Sequence, residues 1–151
     1  MTHEEKAVQA FRSGANCAQS VVVAFHEELD MDEATALRLA SSFGGGIGRL
    51  REVCGAVSGM LMVYGMLCGY DDISDQEAKK AHYTHVQALV NRFREIHGTF
   101  ICRELLELQK GENSDPTPTE RNAQFYHARP CAEYVATATK LLDEALKQES
   151  I

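Results

Sequence analysis

No two cysteines in this chain are spaced as a CxxC pair, although five are present: Cys17, Cys54, Cys68, Cys102 and Cys131. Even the nearest two, Cys54 and Cys68, are fourteen residues apart. That spacing excludes a zinc-finger ligand pattern, and the lack of CxxCH excludes an attached c-type haem. There is no surplus of positive charge either. A formal net charge of −7 would repel a polyanion from most of the surface, so no nucleic-acid partner is expected. The first residues, MTHEEKAVQAF, contain no apolar segment of the secretory type. The expected location is therefore the cytoplasm, where a reducing medium disfavours a structural disulfide framework. No hydrophobic run reaches membrane length: the longest uncharged stretch, residues 53–70, includes four glycines and falls short of the roughly 20 apolar residues of a span. No membrane insertion is expected, and the stretch reads as a central buried helix. Strand-like alternation and internal repeats are also missing.

What is present suits one all-α domain. The chain has 151 residues, 44% of them hydrophobic, enough for a single core without staples. Helical periodicity predicts a short amphipathic helix over residues 3–13. A second follows over 16–29, with Ala18, Val21, Val22, Phe25 and Leu29 on its inner stripe. Asp32 caps a third helix reaching Phe43. In the apolar segment, Gly55 and Gly59 lie four apart, as do Gly65 and Gly69, leaving faces that another helix can approach closely. A long helix over 74–96 turns Ala81, Leu89 and Phe93 inward and ends at His97 and Gly98. Thr99 caps a shorter helix over 100–110. Residues 111–128, with two prolines, read as a long exposed loop suited to a lid. Pro130 opens the last helix at its first position. The expectation is a bundle of six to seven helices, spanning 1–151, around a glycine-rich apolar centre.

The stretch FGGGIGRLREVCGAVSG, residues 43–59, holds six glycines, two arginines and a cysteine. A Walker loop would need GxxxxGK with Ser or Thr, and a dinucleotide fingerprint would need a preceding strand; neither is met. An anion or cofactor site built from Gly45, Gly46, Gly48 and Arg49 stays open, because backbone N–H groups and a guanidinium converge there. The alternative is that the glycines let backbone pass close to the helix that starts at Cys54.

On this map Cys17, Cys54, Cys102 and Cys131 all fall in the first turn of a helix, where unpaired N–H groups favour a thiolate. Arg49 and Arg51 are expected to add positive charge near Cys54, making it the attacking thiolate. Cys68, at a helix end, is expected to be inert packing. His127 and Arg129 flank Cys131 and are candidates to raise its thiolate character. His82 and His85 share a helix face at a spacing that can hold a metal, but without a nearby HExxH-type carboxylate they read first as a half-buried polar face.

The segments NCAQSV around Cys17, FGGGIGR, CGAVSG from Cys54 to Gly59, CRELL at Cys102 and the late Cys131 resemble the C_GCAxxG_C_C family in order and spacing. The resemblance covers roughly residues 5–145. It implies a small bacterial or archaeal redox-active protein whose four characteristic cysteines are Cys17, Cys54, Cys102 and Cys131, with Cys68 outside the pattern. Three readings of different kinds follow. A thiol-dependent oxidoreductase would cycle these cysteines between dithiol and disulfide, Cys54 attacking and Cys17, Cys102 or Cys131 resolving, with an unidentified redox partner. An iron–sulfur or other metal protein would use the same four as ligands. An interaction module would merely pack them. The small-residue faces and an exposed first helix also permit a homodimer.

Overall fold

In a computed structural model of the chain, which describes residues 1–109 and 111–149, eight α-helices follow one another: α1 (His3–Arg12), α2 (Cys17–Ala24), α3 (Glu33–Ala40), α4 (Gly55–Cys68), α5 (Gln76–His97), α6 (Cys102–Leu105), α7 (Ala123–Ala128) and α8 (Cys131–Glu149). A short 3₁₀ turn, Ser41–Phe43, extends α3. Among the described residues there is no strand, only one isolated antiparallel bridge between Val53 and Ile101. The all-α domain is as expected.

Helix starts are written locally in side chains. Asn16 accepts from the Gln19 N–H at 2.8 Å while the Gln19 side chain accepts from the Asn16 N–H at 3.0 Å, a reciprocal cap that fixes where α2 begins. Asp32 and Asp75 cap α3 and α5 one-way, each side chain accepting from the N–H of Thr35 or Ala78. At the other end of α5, Gly98 adopts a left-handed conformation and closes the helix as expected.

The core forms where apolar helices meet on more than one side. α2 packs against α1, α3, α4 and α8, and α4 packs against α2, α5 and α8. Ala18, Val21, Val22 and Phe25 are fully buried beside Val57, Met60, Val63 and Tyr64. Each large side chain so buried contributes roughly 1.5–3 kcal/mol. Two glycines set how closely the central pair approaches. A Cβ on Gly59 would lie 2.8 Å from the Ala18 carbonyl oxygen, and one on Gly55 would lie 3.1 Å from the Ala18 nitrogen. Gly65 meets nothing within 4 Å and Gly69 is the C-cap of α4, so that second pair is not a packing face. Gly59→Ala is accordingly expected to lower stability by about 1–3 kcal/mol, because backbone must move. Gly65→Ala should raise it by about 0.5–1 kcal/mol through reduced chain entropy. Urea unfolding of the two variants checks the opposite signs.

Several elements differ from the sequence reading. α2 ends at Ala24 and a string of turns carries Phe25 and Leu29, which remain buried. α6 is one turn, Cys102–Leu105, rather than a helix to Lys110, which lies outside the described residues. Residues 111–128 contain α7, capped by Asn122 through the Phe125 N–H. Pro130 sits one residue before α8, its carbonyl accepting from Glu133 and Tyr134. Ala81 is exposed, whereas Leu89 and Phe93 are buried as expected. α1 spends Ala7 and Phe11 on packing against α2 and α8, so its apolar face is already covered. No described helix is long and apolar enough to cross a membrane.

Candidate functional site

Backbone geometry brings together cysteines that are far apart in sequence. The Val53–Ile101 bridge ties the approach to α4 to the approach to α6. Cys54 N–H donates to the Phe100 carbonyl at 2.9 Å, and Cys102 N–H donates to the Glu52 carbonyl at 2.6 Å. Cys54 and Cys102 are thereby held side by side. The close α2–α4 contact at Gly55 then sets the start of α2, and with it Cys17, against the start of α4: a Cβ on Gly55 would lie 3.2 Å from the Cys17 Cβ. α8, packed on both helices, delivers Cys131.

The result is a small cavity of about 30 Å³ whose lining includes Cys17, Cys54, Cys102, Cys131 and Tyr134. The Tyr134 hydroxyl is anchored by donating to the Leu105 carbonyl at 3.2 Å. Cys17, Cys102 and Cys131 are the first residues of α2, α6 and α8, and Cys54 is the N-cap of α4. Cys68 is the last residue of α4 and does not line the cavity. Among the described residues, no group of three or more His, Cys, Asp or Glu is arranged to hold a metal ion.

Position at a helix start does not decide ionisation by itself. The Ala56 and Val57 N–H groups favour a Cys54 thiolate, but burial outweighs them and the thiol is pushed up to about 12. Neither arginine expected beside Cys54 serves it. Arg51 turns to Cys102, with Nη1 3.7 Å from Sγ, and Arg49 reaches outward to the 113–119 segment. Burial also raises Cys102, and more strongly than Arg51 lowers it. Hydrogen bonding with Cys131, together with burial, raises the Cys17 thiol well above its ordinary value. The same hydrogen bond lowers Cys131, against burial, with help from the charges of Arg129, Arg121 and Arg51. Of the four thiols, Cys131 is the one lowered, whereas Cys17, Cys54 and Cys102 are raised. Arg129 is as expected from its neighbourhood; His127 lies exposed on α7.

The glycine stretch supplies arginines rather than an open phosphate cradle. Gly45, Gly46, Ile47, Gly48 and Arg49 run consecutively with φ between 53° and 71°, and Arg51 is also left-handed at 62°. Each non-glycine residue there costs roughly 1–2 kcal/mol. The turn bonds to itself: Gly48 N–H donates to Ser42, Arg49 N–H to Gly44, Arg51 N–H to Gly45 and Glu52 N–H to Gly46. At Gly46 a Cβ would fall 2.7 Å from the Cys102 Cβ, so only glycine lets the loop pass the cysteines.

Outside this inner space lies a second cavity of about 270 Å³. Cys17 and Cys131 face it, Arg49, Arg51, Arg121 and Arg129 line it, and Pro116 and Pro118 form part of its wall. Part of the 111–128 segment thus walls the cavity that Cys17 and Cys131 face, fastened by Arg49 to the Asp115 carbonyl at 2.6 Å and to the Thr119 hydroxyl at 3.0 Å. Arg121 was not legible as a site residue; it is held by the Phe11 and Ala15 carbonyls and stacks on Phe11 and Phe125. His82 and His85 instead surround Tyr64, whose hydroxyl is 2.8 Å from His85 Nδ1.

The model of the family described as "Putative redox-active protein (C_GCAxxG_C_C)" matches residues 15–145. The chain belongs to the C_GCAxxG_C_C family. No curated protein and no solved structure matches it. In this C_GCAxxG_C_C member the label's order of cysteines is met by Cys17, the CGAVSG segment at Cys54, Cys102 and Cys131, with cysteine and glycine exchanged relative to the label's central GCAxxG. The cysteines that match this order are those lining the inner cavity.

Proposed function

We propose that the chain is a thiol–disulfide oxidoreductase in which Cys131 is the nucleophilic thiolate and Cys17 the resolving thiol. Supporting this reading, Cys17 and Cys131 face both cavities together, and their thiols are pushed apart, Cys17 upward and Cys131 downward with the help of three arginines. A thiolate attacks a disulfide and a neighbouring thiol completes the exchange, so two neighbouring thiols with split acidities suit the reaction. Cys54 and Cys102, both with raised values, act as the enclosed second pair, held by the bridge behind the reacting one.

The alternative is a metal reading with Cys17, Cys54, Cys102 and Cys131 as ligands, which would need these side chains to turn towards a common ion, since no three of them are so arranged among the described residues. A cavity of about 30 Å³ has room for a single ion, and a multi-iron cluster would require the sulfurs to part. A brown, iron-containing anaerobic preparation would support that reading.

Oxidation of the reduced protein followed by peptide mass mapping tests the main proposal. The expected first product is a Cys17–Cys131 disulfide with Cys54 and Cys68 still reduced. A first product linking another pair, or no intramolecular disulfide at all, would overturn it.

A further inference from the structure

The larger cavity is an anomaly in a chain of net charge −7: four arginines line it and no carboxylate side chain does. Two of these guanidiniums have capacity left over. Arg51 is 96% buried, since only 4% of its surface is exposed. Its Nε donates to the Asn113 carbonyl at 3.0 Å and Nη1 approaches Cys102, yet Nη2 is buried with no partner. A buried donor left unpaired is costly, and the more so on a charged group. The Arg129 guanidinium lies over the Phe125 ring, 5.4 Å from its centroid, and makes no hydrogen bond among the described residues. The positive charges also crowd one another: Arg49 is held below its ordinary range by burial and by the charges of Arg51 and Arg129. Cations kept together at this cost, with open donors and a thiol pair between them, are arranged for an anion that brings a group for sulfur to attack.

We infer that this cavity binds a small carboxylate-bearing disulfide, the guanidiniums of Arg51 and Arg129 taking its carboxylate and Cys131 receiving its S–S bond. Planar guanidinium forks match carboxylate oxygens pairwise, and about 270 Å³ lies just below the usual range of ligand cavities, which limits the guest to low mass. This inference rests on the thiol-exchange reading. The Cys131 thiolate attacks one sulfur of the guest, forming a mixed disulfide and expelling the other half as a thiolate. Cys17 then gives up its proton and attacks the Cys131 sulfur of the mixed disulfide. The second half leaves, taking the proton as a thiol. Two electrons pass from the Cys17–Cys131 pair to the guest, which is reduced to one thiolate and one thiol half, while the protein retains a disulfide.

The test uses the full chain carrying Cys17→Ser, which stops at the mixed disulfide, read by intact mass. Three low-mass probes differ in charge: dithiodipropionate (dianion), hydroxyethyl disulfide (neutral) and cystamine (dication). At low ionic strength the dianion is expected to modify Cys131 about tenfold faster than the neutral probe, and the dication more slowly still. High salt should compress the series, and Arg129→Gln should slow the dianion more than the neutral probe. Equal rates for all three probes, or a faster dication, would overturn the inference while leaving thiol exchange standing. Failure of every probe to form a mixed disulfide at Cys131 would overturn both.

Discussion

Iodoacetamide at pH 7 is expected to alkylate Cys131 first and Cys54 far later, by at least about thirtyfold. The thiolate fraction sets this ratio. A thiol pushed to about 12 is ionised to about one part in 10⁵ at pH 7. A thiol lowered from 9.0 exceeds about one part in 10². The thousandfold gap in fraction is partly offset by the weaker nucleophilicity of the more acidic sulfur, a factor of about 16–32 for three pKa units. Access widens the ratio again, because Cys131 borders the outer cavity whereas Cys54 lines only the inner one. Cys131→Ser should remove the fast phase altogether. Persistence of that phase in Cys131→Ser, with its loss in Cys54→Ser, would reverse the assignment.

Alkaline pH should destabilise the protein through the same burial. The folded Cys54 thiol ionises near 12, above the ordinary value of 9.0 in the unfolded chain. Its stabilising contribution is therefore complete below pH 9 and is lost as pH rises towards 12, up to on the order of 4 kcal/mol. Between pH 8 and 10.5 the loss from this group amounts to about 2 kcal/mol. Cys17 and Tyr134, also raised, add to the same slope. Urea unfolding at the two pH values should show a smaller decline for Cys54→Ala than for the parent chain. An identical decline in both would mean that the Cys54 sulfur is not sealed as the structure places it.

Much of this site is legible in local sequence, because helix starts are local events. Asn16 with Gln19 three residues on announces the start of α2, and Pro130 announces α8 one residue early, so Cys17 and Cys131 fall at helix starts by inspection. The bridge that joins Cys54 to Cys102 is not legible: one residue pair, Val53 with Ile101, leaves no alternating pattern. The acidity order was misread for a related reason. A helix terminus is visible in sequence, but whether water reaches the sulfur depends on tertiary packing, and at Cys54 burial prevails over two favourable N–H groups. Arg121 escaped notice because its charge reaches Cys131 only through the folding of the 111–128 segment onto Phe11. The Gly55 and Gly59 spacing pointed correctly to a close helix partner, whereas Gly65 and Gly69 show the same spacing with a different use.

The account turns on a Cys131 thiolate sustained by the Cys17 thiol and the surrounding arginines, and the pH dependence of Cys131 alkylation reads that directly. In the parent chain its midpoint should lie below 9.0, the ordinary thiol value, and should move upward in Cys17→Ala, which deletes the hydrogen-bond partner. A midpoint at or above 9.0 that does not respond to loss of Cys17 would contradict it.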